Sequence, residues 1–262
     1  GLSLYGGSIG IACLLKQLQN NGINHGQSEE SYQAILRPLH QLAQQENGDG
    51  RRRWWRDQPL GLSGCGGILL ALLQLGERTL AEALLEEAQP RFIEADQQLD
   101  MIGGCAGLIG ALLALNTPQA LELAEHAGRH LLNHQAESGG WHTNPRRSAL
   151  LGYSHGTAGV ATALAKLHQR TGHNAFACSA RAALVYERAQ FNGEQGNWPD
   201  LRTEQPGFMV SWCHGAPGIG LGRACLWGTD LWDERCEEEI TTAIHTTAAV
   251  NSIGADHVCC GS

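Results

Sequence analysis

Short apolar segments alternate with longer amphipathic segments along this chain. The apolar segments carry few charges and span residues 9–18, 68–75, 108–115, 160–167 and 219–226. In the amphipathic segments, apolar residues recur at helical spacing and charges occupy the other face, at residues 31–45, 79–88, 119–133, 175–190 and 233–250. Strand signals are few. The pattern predicts a repeated pair of helices, an inner apolar helix and an outer amphipathic helix.

A Gly-x-x-Gly motif opens each apolar segment. Complete copies begin at Gly7, Gly64, Gly104, Gly156 and Gly215, and a sixth copy begins at Gly261. The first glycines of successive copies lie 40 to 59 residues apart. Repeats of this length are typical of stacked or circular arrays, in which neighbouring units bury each other's apolar faces. Because the motif recurs at one place in every repeat, we expect the residues before each first glycine to share one rim of the array.

Composition narrows the class of protein. The chain has 262 residues, a formal net charge of -8 and a pI near 5.8, which argues against a nucleic-acid-binding protein. The one basic cluster, residues 51–56, is interpreted as a solvated loop. No apolar run reaches the roughly 18 residues of a membrane span. An odd count of nine cysteines without a secretory signal segment predicts a reducing, cytoplasmic location.

The residue pairs before the first glycines carry the candidate chemistry. In the first three copies these pairs contain no histidine or cysteine. In the last three copies they are Ser154-His155, Cys213-His214 and Cys259-Cys260. A single histidine or cysteine at such a place is usually structural. Three cysteines and a histidine on one rim instead favour a metal site, because zinc prefers thiolates and a catalytic zinc keeps one position open beside three protein ligands.

These motifs resemble the lanthionine synthetase C (LanC) family of cyclases. The resemblance runs through the whole chain and rests on the glycine repeats, on Cys259-Cys260-Gly261, on Ser154-His155-Gly156-Thr157-Ala158-Gly159 and on Ser211-Trp212-Cys213-His214-Gly215-Ala216-Pro217-Gly218. The last string is most similar to the cyclase domain of bifunctional LanM lanthipeptide synthetases. Cys-Cys-Gly in place of the family's usual Cys-His-Gly resembles the LanM subgroup with an all-cysteine zinc site.

The resemblance implies an all-α fold, an α/α toroid built as a double-layered helical barrel. Residues 1–262 would form a LanC-like cyclase domain with about five of the seven repeats, truncated within the sixth. An N-terminal dehydratase domain would precede it in a longer parent enzyme. On this expectation the 262-residue chain alone would be unstable or inactive.

The resemblance also assigns roles to residues. Cys213, Cys259 and Cys260 would hold Zn²⁺, with the fourth position open for a substrate thiol. His155 would transfer the proton that completes the reaction, and Asp100, which lies before the third repeat's glycines, would orient or stabilise it. His214 would either assist proton transfer or line the pocket. An arginine of some members is Met209 here, so its role has no counterpart.

The implied reaction adds a peptide cysteine thiol to dehydroalanine or dehydrobutyrine in the same dehydrated precursor peptide, which closes a lanthionine or methyllanthionine ring. Two alternatives stay open. A non-catalytic LanC-like zinc protein that binds glutathione or thiol peptides would keep the cysteines without needing Asp100 and His155. A carbohydrate-active or terpenoid α/α barrel would rely on acidic cavity residues, where this rim offers thiols and imidazoles.

Overall fold

The computed structural model describes residues 1–4, 6–23, 28–142 and 148–250. Within these ranges the chain forms helices and isolated bridges but no β-strand. The helices are α1 (Ser8–Asn20), α2 (Ser28–Ala43), α3 (Asp49–Asp57), α4 (Cys65–Leu75), α5 (Arg78–Leu85), α6 (Pro90–Glu94), α7 (Cys105–Leu115), α8 (Pro118–His134), α9 (Thr157–Thr171), α10 (Asn174–Ala189), α11 (Ala216–Ala224) and α12 (Glu234–Ala248). Among the helices in the described ranges, none combines the length and apolar character needed to cross a membrane.

The predicted alternation of inner and outer helices is confirmed. The five apolar segments correspond to α1, α4, α7, α9 and α11, and the five amphipathic segments correspond to α2, α5, α8, α10 and α12. Helices α4 and α7 are buried along most of their length, as their continuous apolar sequences require. Two helices, α3 and α6, were not predicted by the pattern.

The basic cluster of residues 51–56 is not the solvated loop that the sequence suggested. It lies in α3, where Arg51 and Trp55 are buried. Arg51 donates hydrogen bonds to backbone carbonyls of Ala43 and Gln45. The indole N–H of Trp55 donates to the carbonyl of Leu84 at 2.8 Å. The interpretation as a loop was wrong because these carbonyls satisfy polar groups that a charge count places in solvent.

The described residues divide into two compact units. The first comprises Gly1–Asp96 and Ile102–Ala127. Its inner helices pack in sequence order, α1 on α4 and α4 on α7, and the outer helices α2 and α5 pack on α1 and α4 respectively. The loops before the inner helices are also joined, because the backbone N–H and hydroxyl of Ser63 both donate to the carbonyl of Ile102 at 2.9 and 2.8 Å.

The second unit comprises Gln97–Met101 and Gly128–Ser262, and its described part holds α9 to α12. Helix α9 packs on α10 and on α11, and α11 packs on α12. This arrangement repeats the inner-to-inner and inner-to-outer contacts of the first unit. All described candidate site residues belong to this second unit.

A glycine precedes the first residue of every inner helix because the loop before it folds back over the helix start. At Gly64, a Cβ atom would lie 1.9 Å from the carbonyl oxygen of Pro59, far inside van der Waals contact. At Gly67, a Cβ would lie 1.9 Å from the carbonyl oxygen of Leu62. The Gly-x-x-Gly motif therefore permits close backbone approach, which brings each preceding loop onto its helix.

Candidate functional site

Loops from three successive repeats meet in the second unit. The backbone N–H of Met101 donates to the carbonyl of Ser154 at 3.1 Å, and the N–H of Tyr153 donates to the carbonyl of Trp212 at 3.2 Å. These bonds join the residues just before the third, fourth and fifth glycine motifs. The shared rim that the repeat predicts is therefore present in this unit.

Asp100 and His155 form a hydrogen-bonded pair on this rim. The Nδ1 atom of His155 lies 2.8 Å from Oδ2 of Asp100. A carboxylate can only accept, so Nδ1 carries the proton of this bond and Nε2 is the ring nitrogen that does not bind Asp100. The Asp100 side chain is buried, whereas that of His155 is 39% exposed. A buried carboxylate behind an accessible imidazole is the arrangement of an oriented acid–base group.

His214 lies beside this pair, with its ring stacked on that of His155 at a centroid distance of 6.0 Å. Burial lowers the pKa of His214, although the Asp200 carboxylate opposes this shift. The ring is therefore neutral at pH 7. Its Nδ1 atom lies 3.3 Å from the carbonyl of Leu151, an acceptor, so the proton resides on Nδ1. Nε2 is buried and has no hydrogen-bond partner among the described residues.

Cys213 is buried immediately before His214. Its Sγ atom lies 3.0 Å from Oγ of Ser211. The same hydroxyl accepts from the backbone N–H of His214 at 3.3 Å, and the N–H of Ser211 donates to the carbonyl of His214 at 3.2 Å. Ser211 thus closes a tight turn that presents the thiol and the imidazole from adjacent positions.

The donor chemistry of the described part fits zinc. It offers the buried thiol of Cys213 and, beside it, the imidazole of His214, and both groups are ligands that zinc accepts. In the part of the chain that the structure describes, no three His, Cys, Asp or Glu side chains are grouped closely enough to hold a metal ion. The other two predicted ligands, Cys259 and Cys260, lie outside the described residues.

The structure brings together Asp100, His155, Cys213 and His214. Sequence reasoning did not assign roles to Ser211 or to the Leu151 carbonyl. Ser211 stands inside the string that singled out Cys213, so a signal for it was present. A backbone carbonyl carries no sequence signal, and Leu151 is found only because the fold places it against His214.

Comparisons with known proteins bear on the family and the fold. The sequence profile of the family described as "Lanthionine synthetase C-like protein" matches residues 1–262. Among solved structures, "Nisin cyclase" is similar with a TM-score of 0.73 and 19% sequence identity, over 99% of this chain and 73% of the other. That likeness shows a shared fold and confirms the predicted all-α, LanC-type class. The chain belongs to the lanthionine synthetase C-like family.

Proposed function

We propose that this protein is a zinc-dependent lanthipeptide cyclase. It adds peptide cysteine thiols to dehydroalanine or dehydrobutyrine and forms lanthionine or methyllanthionine thioether rings. The observation that carries the proposal is the Asp100–His155 pair, stacked through His155 on His214 and next to Cys213. Family membership and the fold shared with a protein titled "Nisin cyclase" support it.

In the proposed enzyme, Cys213, Cys259 and Cys260 hold the zinc ion. When bound, zinc supplies Lewis acidity that keeps a substrate thiol as a thiolate near neutral pH. The chain contributes the buried position of Cys213 and the turn closed by Ser211, which fixes the direction of the thiol. A fixed direction matters because ligand geometry determines how tightly a site holds its metal.

The reaction needs one proton removed and one delivered. The substrate thiol loses its proton, sulfur bonds to the β-carbon of the dehydro residue, and the π electrons move onto the carbonyl to give an enolate. The α-carbon of the enolate then takes a proton, so the product has the mass of the substrate. His155 delivers this proton from Nε2, and Asp100 stabilises the charged imidazole through Nδ1.

In this proposal His214 takes the proton-transfer role by accepting the proton that the substrate thiol loses. Within the described residues its Nε2 atom is buried without a hydrogen-bond partner, and burial lowers the pKa of the ring, which suits a proton acceptor. A side chain that only lined the pocket would not require a bare nitrogen, since burying an unsatisfied polar atom costs about 1–3 kcal/mol. We propose that an N-terminal dehydratase domain of a longer parent enzyme supplies the dehydrated peptide on which the cyclase domain acts.

The test is incubation of the complete parent enzyme, reconstituted with zinc, with a dehydrated, cysteine-containing peptide. Loss of free thiol without a change of mass is the expected result. Cys213→Ala should lose both bound zinc and cyclisation. His155→Ala should keep zinc and lose about 10²- to 10⁴-fold in rate, the usual contribution of a general acid. His168→Ala, on α9 and outside the site, is the matched control and should behave as wild type.

Each alternative predicts a different result. Wild-type protein that binds zinc and peptide without loss of free thiol would support a non-catalytic scaffold for thiol peptides or glutathione. A Cys213→Ala variant that kept stoichiometric zinc would show that the ligand assignment is wrong. Unchanged cyclisation by His155→Ala would remove the assigned role of the Asp100–His155 pair.

A further inference from the structure

A buried amide, Asn197, holds the two ends of the segment that carries Cys213. Asn197 is 2% exposed and lies in the loop between α10 and α11. Its Nδ2 donates to the carbonyl of Met209 at 3.2 Å, and its Oδ1 accepts from the backbone N–H of Ala216 at 2.8 Å. One side chain therefore fixes both ends of residues 209–216, and Cys213 and His214 lie between these ends.

The Ala216 bond also completes the start of α11. The first N–H groups of a helix have no partner within the helix, and an Asn side chain is among the preferred acceptors for them. Here the residue before the helix is Gly215, which has no side chain to offer. Asn197 supplies the missing acceptor from a distant loop, so the position of the helix start depends on this amide.

The preceding repeat closes the equivalent segment in another way. Counting from the aligned glycines Gly156 and Gly215, Leu150 corresponds to Met209 and Thr157 corresponds to Ala216. The N–H and the hydroxyl of Thr157 both bond to the carbonyl of Leu150, at 2.9 and 3.0 Å. This segment is closed directly, without a third residue between its ends.

The two loops that enter these helices are otherwise anchored alike. The indole N–H of Trp198 donates to the carbonyl of Glu187 at 3.0 Å, and that of Trp141 donates to the carbonyl of Leu131 at 2.8 Å. Both carbonyls belong to outer helices, α10 and α8. The tryptophan anchor is therefore common to both repeats, and the difference lies in the residue before it.

The residue before Trp141 is Gly140, where an amide has no room. A Cβ atom there would lie 2.4 Å from the Cβ of Ala149 and 3.2 Å from the hydroxyl of Thr157. The repeat that has Ser154 at the position of Cys213 thus combines glycine in the loop with threonine on the helix. The repeat with Cys213 combines Asn197 in the loop with Ala216 on the helix. The polar side chain that closes the segment therefore lies in the loop here and on the helix in the preceding repeat.

We propose that Asn197 is a positioning residue for Cys213, which keeps residues 209–216 open and fixed so that the thiol reaches its ligand position. The proposal rests on the proposed function, in which Cys213 binds zinc. Asn197 does not touch the reacting atoms in this account. It acts on this segment through the Met209 carbonyl and the Ala216 N–H, while its Oδ1 also accepts from the N–H of Trp198 at 2.7 Å within its own loop.

Two substitutions test the proposal. Asn197→Ala removes both bonds to the segment together with the bond from the Trp198 N–H, and Asn197→Asp keeps the acceptor for Ala216 and Trp198 but loses the N–H donor to Met209. Zinc affinity, measured by competition with a chromogenic chelator, should fall about 10- to 100-fold in Asn197→Ala, as for other residues that orient a metal ligand. Asn197→Asp should fall between this variant and wild type. For cyclisation, kcat should fall while KM stays unchanged.

A readout on the metal-free protein separates this proposal from the proposed function. Iodoacetamide should label Cys213 faster in Asn197→Ala than in wild type, because the segment loses its anchor, and peptide mass spectrometry assigns the label. Asn192→Ala is the matched control: its Oδ1 accepts from the N–H of Gln195 at 2.9 Å in the same loop and it makes no bond to residues 209–216. Far-UV circular dichroism measures the folded fraction of each variant.

Wild-type zinc affinity and wild-type Cys213 labelling in both Asn197 variants would overturn the proposal. Losses that match the unfolded fraction, or that Asn192→Ala reproduces, would overturn it as well. If wild-type protein fails to cyclise the peptide while Asn197→Ala still alters zinc affinity and labelling, the proposed function fails and the positioning role stands.

Discussion

Arg223 on α11 offers a sharp test of how the second unit is stabilised. Its side chain is 1% exposed and binds two carboxylates, with Nη1 at 2.8 Å from Oε2 of Glu187 and Nε at 2.7 Å from Oε2 of Glu239. Glu239 has a second cation, since Arg188 lies 2.9 Å from its Oε1. Glu187 is completely buried. Methionine has a side chain of similar length but no charge. Arg223→Met therefore removes the cation and leaves the buried carboxylate of Glu187 without its partner.

The expected cost follows from that stranded charge. Removing one partner of a buried ion pair costs about 3–5 kcal/mol, because the remaining ion has lost both water and its counter-ion. For a folding unit of this size the loss corresponds to a fall of roughly 6–20 °C in Tm. Glu187→Gln in the same chain should recover much of it, because no uncompensated charge remains inside.

Urea denaturation followed by far-UV circular dichroism measures the effect. Arg181→Met is the matched control, because Arg181 pairs with Asp230 at 3.0 Å while both side chains are about half exposed. An exposed pair contributes about 0.2–1 kcal/mol. The reasoning would be refuted if Arg223→Met and Arg181→Met lowered the free energy of unfolding equally, or if adding Glu187→Gln to Arg223→Met brought no recovery.

The stability loss of Arg223→Met should also depend on pH, because it comes from the charge of Glu187. Burial raises the pKa of Glu187 and Arg223 opposes the shift, so the pKa rises further once Arg223 is replaced. A carboxyl whose pKa is higher in the folded state binds more protons when folded, so its penalty disappears as pH falls towards the ordinary value near 4.3. The stability deficit of Arg223→Met should therefore shrink between pH 7 and pH 5.

Two further predictions concern the ends of helices. The hydrogen bond from Arg188 holds the pKa of Asp233 below its ordinary value, so Asp233→Asn should lower stability at pH 7 by up to about 1 kcal/mol. That stability is present above pH 4 and is lost as pH falls below it, so urea titrations of variant and wild type should converge in acid. At Gly215, φ is 91° and a Cβ would lie 1.8 Å from the carbonyl oxygen of Met209, so Gly215→Ala should lose at least about 2 kcal/mol of unfolding free energy. Gly193→Ala, where a Cβ meets no atom within 4 Å, should stay within about 0.5 kcal/mol of wild type, and equal losses in the two variants would contradict the steric argument.

Sequence periodicity was sufficient for the ten paired helices because burial of one apolar face dictates each of them. It was insufficient for α3, where three arginines precede two tryptophans. Arg51 is buried there only because carbonyls of residues 43 and 45 accept its hydrogen bonds. The Glu187–Arg223 pair escaped prediction for the same reason. Its partners are 36 positions apart, and nothing in the local pattern pairs them.

The candidate site was predictable where the repeat itself marked it. His155, Cys213 and His214 occupy the column before the glycines, so an alignment of the chain on itself found them. Asp100 lies outside this column and came from the family resemblance alone. Its place is explained by the structure, in which the backbone bond from Met101 to Ser154 brings Asp100 against His155.

Asn197 shows what separates a repeated scaffold from a site. Trp141 and Trp198 anchor equivalent loops to their outer helices by the same indole bond, and that common bond preserves the geometry of the repeat. With the geometry conserved, an exchange of Gly and Thr for Asn and Ala is enough to change how the next segment is closed. The Cys213 segment is the one closed by an amide from outside it. If Cys213 binds zinc as proposed, the indole bonds that anchor the loops and the amide bonds that position the thiol are made by different side chains, so one can change while the other stays.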